Sequence, residues 1–322
     1  MCFCRWSTLC VPFRFISQCV VVVCLLIHYT IKWIVPDCCR RRKRLTDRII
    51  LITGSGNGLG RSLALRLARL KPILVLWDVD ESANLETSRL IAESHAGVVV
   101  HTYTIDIGDR TAVESAANDV LGIVGSVDIL VNNAGTAHGK YLTELLPGDI
   151  EHSFQTNLLS HFWTCQAFLP DMITANAGHI VAIASVAGIV GTSHLTDYSA
   201  TKFGIIGFME SLDIELHNRN VSGINLTTVC PYYLNTALFK GIKTNYHCLL
   251  PILDADYVAE RVINAIQLNK DFIYLPRMLY FLLGLKGVLP FPIIRYMGFM
   301  FGAHTAMLSL DSAERQVPLR RE

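Results

Sequence analysis

Tyr198 and Lys202 stand four residues apart, leading into an apolar stretch, Phe203 to Leu216, that reads as a helix. On a helix that spacing puts both side chains on one face. A tyrosine hydroxyl ordinarily ionises near pH ~10, and an ammonium beside it favours the phenolate. Such a pair can take a proton from an alcohol as hydride leaves its carbon, or return it when a carbonyl is reduced. The run Gly178-His-Ile-Val-Ala-Ile-Ala-Ser185 reads as a buried strand ending on a serine, 13 residues before Tyr198. A hydroxyl there would hold the same oxygen and stabilise charge developing on it. A Tyr-x-x-x-Lys alone is weak, since a tyrosine on an apolar helix is usually a packing residue. Its weight comes from what stands upstream.

That upstream feature is a glycine turn. Ile49 to Ile52 reads as a buried strand, Arg61 to Leu70 as a helix, and between them lie Thr53, Gly54, Gly58 and Gly60 in a T-G-x-x-x-G-x-G pattern. Strand, glycine turn and helix bring backbone N–H groups and a helix N-terminus up to a pyrophosphate, and a Cβ would hold the phosphate away. A tight turn without ligand is the bland alternative. Asp78 closes the next apolar run, Ile73 to Trp77, 18 residues past Gly60. A carboxylate there can accept both ribose hydroxyls of an adenosine and would repel a 2′-phosphate. No basic residue stands at Asn57 or Val79 to offset this, so the pattern favours NAD over NADP.

These residues need a scaffold that brings them to one edge. Helical stretches at about 82–94 and 110–124 alternate with strand patterns at 98–105, ending on Asp106, and at 127–131, running into Asn132-Asn133-Ala134-Gly135. A long helical region over about 149–175 carries Asn157, and a last helix is expected over 254–268. The alternation predicts an α/β fold: one doubly wound (Rossmann) parallel sheet with right-handed crossovers and ligands at the carboxyl ends of the strands.

A chain of 322 residues can bury a large core. A net charge of +1 gives no pull toward nucleic acid. Seven of the ten cysteines fall within the first 39 residues, which is no disulfide framework, and none of the cysteines and histidines has zinc spacing. The hydrophobic fraction of 51 % is high for a soluble enzyme, and the excess lies at the two ends. Phe15 to Val35 is a 21-residue, mostly apolar stretch followed by Pro36 and the basic run Arg40 to Arg44. As a helix it is long enough to cross a bilayer, and the basic run would keep the rest of the chain on the cytosolic side. A cleaved signal peptide and an interfacial or hairpin anchor are the other readings. Residues 272–303 are again apolar, broken by Pro276, Pro290 and Pro292 into pieces too short to span. They would serve internal packing or a homodimer surface, or form a platform on the membrane through which a lipophilic substrate enters. The tail from Asp311 is polar.

With these motifs in order, the sequence resembles the short-chain dehydrogenase/reductase family. T-G-x-x-x-G-x-G at 53–60, Asp106, N-N-A-G at 132–135, Asn157, Ser185 and Y-x-x-x-K at 198–202 carry the resemblance. It implies an NAD(P)-dependent alcohol dehydrogenase domain over 46–270, between an N-terminal anchor over 1–45 and a C-terminal extension over 271–322. It implies that Tyr198 is the acid/base, that Lys202 tunes it and contacts the nicotinamide ribose, and that Asn157 holds a relay water. Ser185 and Tyr198 would hold the substrate. The cofactor would rest on Thr53, Gly54, Ser55, Asn57, Gly58, Leu59 and Gly60, with Asp78 at the adenosine end. Asp106, Ile107, Asn133, Ala134, Gly135 and Thr236 would complete its cradle beside Tyr198 and Lys202. At Pro231-Tyr232 the chain departs from the family's Pro-Gly, and Tyr232 is placed to line the substrate pocket instead. Leu74 to Asp78, His161 to Pro170, Thr227 to Pro231, Leu249 to Leu253 and Leu275 to Leu283 resemble the membrane-bound retinol dehydrogenase branch and its hydroxysteroid dehydrogenase neighbours. That likeness implies a retinoid or steroid substrate and a site on the endoplasmic reticulum or lipid droplets. A surface protein of those membranes with only incidental turnover is the rival reading.

Overall fold

The computed structural model describes residues 6–239, 241–242, 246 and 248–302. The polar tail from Asp311 lies outside them. The chain divides into two units, Met1–Arg42 and Lys43–Glu322.

In the first unit, α1 (Trp6–Ile34) is a 29-residue helix. It stops before Pro36, as helices do ahead of proline, and a 3-10 turn, Asp37–Cys39, follows. Its side chains from Phe15 to Ile31 are exposed, and most are apolar. Ser17, Gln18, His28 and Thr30 interrupt the apolar surface, with the Thr30 hydroxyl turned back onto the Leu26 carbonyl at 2.7 Å. The helix expected over 15–35 is present with an earlier start. Among the described residues, however, no helix is long and apolar enough to cross a membrane.

The second unit is built on seven strands: β1 (Ile49–Thr53), β2 (Ile73–Asp78), β3 (Val100–Thr104), β4 (Ile129–Asn132), β5 (Gly178–Ile183), β6 (Ile224–Pro231) and β7 (Phe272–Leu275). All pair in parallel, in the order β3-β2-β1-β4-β5-β6-β7. The central strands are continuous apolar runs because both faces are covered. Helices α2 (Gly58–Ala68), α3 (Glu81–Ser94) and α8 (Ala255–Leu268) cover one face, where Leu63, Leu67, Val258 and Val262 pack on Ile50, Ile52 and Leu76. The other face packs Val113, Phe168, Ile205 and Met209 on Leu51, Val75 and Leu130. These come from α4 (Arg110–Ile123), α6 (Ser160–Ala175) and α7 (Thr196–Asn218). Aspartates begin several of the helices, as Asp80 accepting from Ala83 N and Asp109 from Thr111 N.

Three departures from the expected pattern matter. The long helix over 149–175 is α5 (Pro147–Phe154), one turn of π-helix (Gln155–Leu159) and α6. The wide turn falls on Asn157, and such bulges occur frequently at functional sites. The apolar C-terminal segment begins with β7, the sheet's last strand, and continues as α9 (Met278–Lys286) and α10 (Phe291–Met300). Finally, Lys43 is pinned at the amino edge of the sheet. Its N–H donates to Gln267 O at 2.7 Å, and its ammonium donates to His179 Nδ1 at 2.7 Å. Short in sequence, the link from Lys43 to the glycine turn therefore crosses the sheet from one edge to the other.

Candidate active site

Strand order reverses between β1 and β4, which lie side by side although β2 and β3 separate them in the chain. The crevice beyond their carboxyl ends is where a doubly wound sheet holds a ligand. A cleft of about 1430 Å³ opens there.

Its floor is the glycine turn. Gly54 and Gly58 have φ of +67° and +52°, a conformation that side-chain-bearing residues rarely adopt. A Cβ on Gly60 would lie 1.9 Å from the Gly54 carbonyl oxygen, so this glycine closes the turn rather than facing the cleft. Asn57 precedes α2 without a side-chain cap, which leaves the first N–H groups of the helix uncapped by it. Gly54, Asn57, Gly58 and Leu59 line the cleft. Thr53 and Ser55 do not. The Thr53 hydroxyl accepts from Asn133 N at 3.0 Å and Ala134 N at 3.1 Å, tying the N-N-A-G segment to the turn. Ser55 donates inward to Asn84 Oδ1 at 2.8 Å.

At the far end, Asp78 accepts from Gly56 N at 2.7 Å and Asp80 N at 2.9 Å, one bond on each carboxylate oxygen. Each oxygen keeps a further lone pair for a hydroxyl donor. Asp106, Ile107, Ala134, Gly135 and Thr236 also line the cleft, as does Asn133, which donates from Nδ2 to Thr53 O at 2.8 Å. The shape therefore fits a dinucleotide: glycines where a chain approaches closely, a helix N-terminus that Asn57 does not cap, and a carboxylate at one end.

The other end holds the chemistry. Tyr198 and Lys202 are both buried in the first turns of α7. Lys202 donates to Ile183 O at 2.8 Å and sits 5.4 Å from the centre of the Tyr198 ring. Burial pushes its ammonium down to about 8. Burial also pushes the Tyr198 phenol up, against a hydrogen bond from Ser185 that favours ionisation. Burial outweighs that hydrogen bond; the expected lowering belongs to the ammonium acting together with a positively charged nicotinamide ring. Ser185 is itself fixed by accepting from Ala187 N at 3.1 Å. Asn157 sits behind the cleft, accepting from Thr136 N at 2.7 Å and donating to Thr136 O at 2.9 Å and Thr201 Oγ1 at 3.2 Å.

A second pocket, about 940 Å³ and walled mainly by apolar side chains, meets the first at Tyr198. Ser185 and Tyr198 sit in it with Tyr232, which therefore lies where its replacement of glycine suggested. Tyr233, Leu234 and Phe239 add walls, and Leu282, Leu283 and Met297 bring in α9 and α10. Sequence reasoning did not reach these residues. For Leu282, Leu283 and Met297 the only signal was the apolar character of the C-terminal segment, and Tyr233, Leu234 and Phe239 gave none. Cys230 beside them is buried, and its thiol is pushed up to about 12, so it stays a protonated packing group. Among the described residues no cluster of ligating side chains could hold a metal ion.

Residues 48–247 match the short chain dehydrogenase family. The chain is 42 % identical over 276 residues to short-chain dehydrogenase/reductase family 16C member 6 of Bos taurus, covering 86 % of this chain and 87 % of that one. It is 45 % identical over 249 residues to epidermal retinol dehydrogenase 2 of Mus musculus, covering 77 % and 80 %. To retinol dehydrogenase 10 of Homo sapiens it is 36 % identical over 316 residues, covering 90 % and 92 %. A short chain dehydrogenase/reductase of Burkholderia phymatum, solved in complex with NAD, superposes with a TM-score of 0.68 at 27 % identity, covering 76 % of this chain and 94 % of that one.

Proposed function

The chain belongs to the short chain dehydrogenase family, and from that premise we propose that it is a membrane-attached, NAD-preferring dehydrogenase of lipophilic alcohols, with retinol to retinal as the leading conversion. That it is an NAD(P)-dependent oxidoreductase of the alcohol dehydrogenase type follows from the family and its retinol dehydrogenase relatives. One observation carries the finer reading: Tyr198 is shared between the dinucleotide-shaped cleft and the apolar pocket.

Bound in the cleft, NAD supplies the acceptor for the hydride that leaves the alcohol carbon. The chain's residues handle the proton and the geometry. Tyr198 takes the hydroxyl proton in oxidation and returns it in reduction. Ser185 donates to the same oxygen and holds it at the phenol. Lys202 keeps two N–H donors beyond its bond to Ile183, which would serve the cofactor ribose and a water held by Asn157. Asp78, acidic and with no basic neighbour at Asn57 or Val79, supports NAD over NADP.

The apolar walls suit a long hydrocarbon chain better than a polar metabolite. The names of the relatives favour a retinoid, and a hydroxysteroid is the alternative that the same walls admit. Exposed apolar residues along α1, followed by the basic run Arg40 to Arg44, support attachment to the endoplasmic reticulum or lipid droplets with the catalytic unit in the cytosol. Incidental turnover by a scaffold is disfavoured, since a scaffold has no physical need for Asn157, Ser185, Tyr198 and Lys202 together. The test is NAD reduction by the full-length protein against a panel of retinols and hydroxysteroids. Turnover of retinol supports the reading, and a protein that turns over no member of the panel contradicts it.

A further inference from the structure

Helices α9 and α10 are apolar on both sides. Leu279, Leu282 and Leu283, spaced i, i+3, i+4, face the pocket, as do Ile294 and Met297 one turn apart. On the other side, Phe281 is 67 % exposed, Phe291 70 % and Tyr296 67 %, and Val288 between the helices is 81 % exposed. A helix covering a pocket of a soluble protein turns polar residues outward. Large apolar side chains left exposed along two consecutive helices mark an interaction site.

The charge of the segment says what covers it. Between Asp271 and Asp311 the sequence has no Asp or Glu, while Arg277 at the start of α9 and Arg295 within α10 stand exposed. A second copy set against this face would bring arginines near arginines with no carboxylate from the segment between them, which is unfavourable. Anionic lipid headgroups have the complementary charge, and acyl chains the complementary surface. Helices of 9 and 10 residues are about 14–15 Å long, half the hydrocarbon thickness of a bilayer, so they lie in the interface and do not span.

We infer that the outer face of α9–α10 docks into the surface of a bilayer containing anionic lipid, and that a lipophilic substrate passes from the bilayer between these helices to Ser185 and Tyr198. The docking stands on the exposed face and its charge. Only the passage of substrate rests on the proposed function. Entry by this route keeps an insoluble alcohol out of water from its reservoir to the reacting groups.

Two measurements test this with the full chain on phosphatidylcholine vesicles, with and without phosphatidylserine. Wild type is compared with the triple variant Phe281→Glu, Phe291→Glu, Tyr296→Glu. Hydrogen exchange of residues 278–298 should slow on the vesicles for wild type, more with phosphatidylserine, and not for the variant. Equal exchange in both proteins overturns the docking, as does slowing that needs no vesicles and grows with protein concentration, the mark of a second copy. For retinol dissolved in the bilayer, the variant's kcat/KM should fall about tenfold or more, while a short water-soluble secondary alcohol is oxidised within about twofold of wild type. Equal loss on both alcohols overturns the passage. If wild type oxidises neither alcohol, the proposed function falls, and the exchange measurement still decides the docking.

Discussion

The Lys202 ammonium lies 5.4 Å from the centre of the Tyr198 ring while donating to Ile183 O at 2.8 Å. Burial acts on both groups, lowering the lysine to about 8 and raising the phenol. Near neutral pH the pair therefore rests as ammonium and phenol, the state that can protonate a carbonyl oxygen. Carbonyl reduction should decline as pH rises past about 8, where Lys202 loses its proton. Alcohol oxidation needs the phenolate, and because burial raises the phenol it should climb only at pH above the range in which reduction declines. Parallel pH profiles of kcat/KM in the two directions check this, and profiles of the same shape would contradict it.

Replacing Lys202 by methionine should lower kcat by about 10²–10⁴-fold, the range typical of groups that assist proton transfer. Arginine should not restore it, because its planar fork cannot replace a compact ammonium in the same buried space. NAD affinity measured by fluorescence separates a lost ribose contact from lost chemistry. Lys202→Arg at wild-type rate would remove the compact ammonium from the account.

The buried imidazole of His161 predicts acid sensitivity. Burial, and then the nearby Lys202 charge, push it down to about 3. The native state therefore holds it neutral, while the unfolded chain takes up a proton near pH ~6.5. Stability from this group is present above that value and is lost as pH falls from there toward about 3. Between about pH 7 and pH 5 the loss should be about 2 kcal/mol, read from urea midpoints, and His161→Gln should lose correspondingly less. Equal acid losses in both proteins would contradict the prediction.

The sheet was legible because its strands are buried on both faces. Ile49 to Ile52 and Ile73 to Trp77 can be read as strands from apolar character alone, and both are within a residue of the observed β1 and β2. β6 was not read as a strand, and neither was β7, since Phe272–Leu275 merges into the apolar run that becomes α9 and nothing local divides strand from helix. Asp78, Asn133 and Ser185 at the strand ends, and Tyr198 in α7, were visible because each follows an apolar strand or sits at a fixed spacing from another. Thr53 and Ser55 share their motif but turn inward, and sequence does not show which way a side chain of a glycine turn points. The second pocket was the least legible. Thr192, Tyr233 and Met297 meet only through tertiary packing, which leaves no spacing to read.

Asp78 should set cofactor choice. Its carboxylate is fixed by Gly56 N at 2.7 Å, and a Cβ on Gly56 would lie 3.0 Å from it. Asp78→Asn removes the charge and should raise KM for NAD about 10–100-fold, the worth of charge-assisted hydrogen bonds, while weakening discrimination against NADP. A wild-type KM for NADP below that for NAD would overturn the role.

Gly60→Ala should damage the turn itself. The added Cβ would lie 1.9 Å from the Gly54 carbonyl oxygen, a backbone atom that no rotamer change can move. A loss of about 3 kcal/mol or more in stability, or an NAD affinity lowered more than about tenfold, is expected. Calorimetry with NAD titration reads both, and an alanine variant matching wild type in the two would show that the turn tolerates a side chain.

The account turns on Tyr198 as the residue through which cofactor and substrate meet. Its most direct test is the rate of NADH formation from retinol by the full-length protein in membranes, wild type against Tyr198→Phe. The phenylalanine variant keeps the ring and its burial but has no proton to take or give. It should bind NAD within about twofold of wild type and lose activity by about 10²–10⁴-fold. Equal rates in the two proteins would contradict the account.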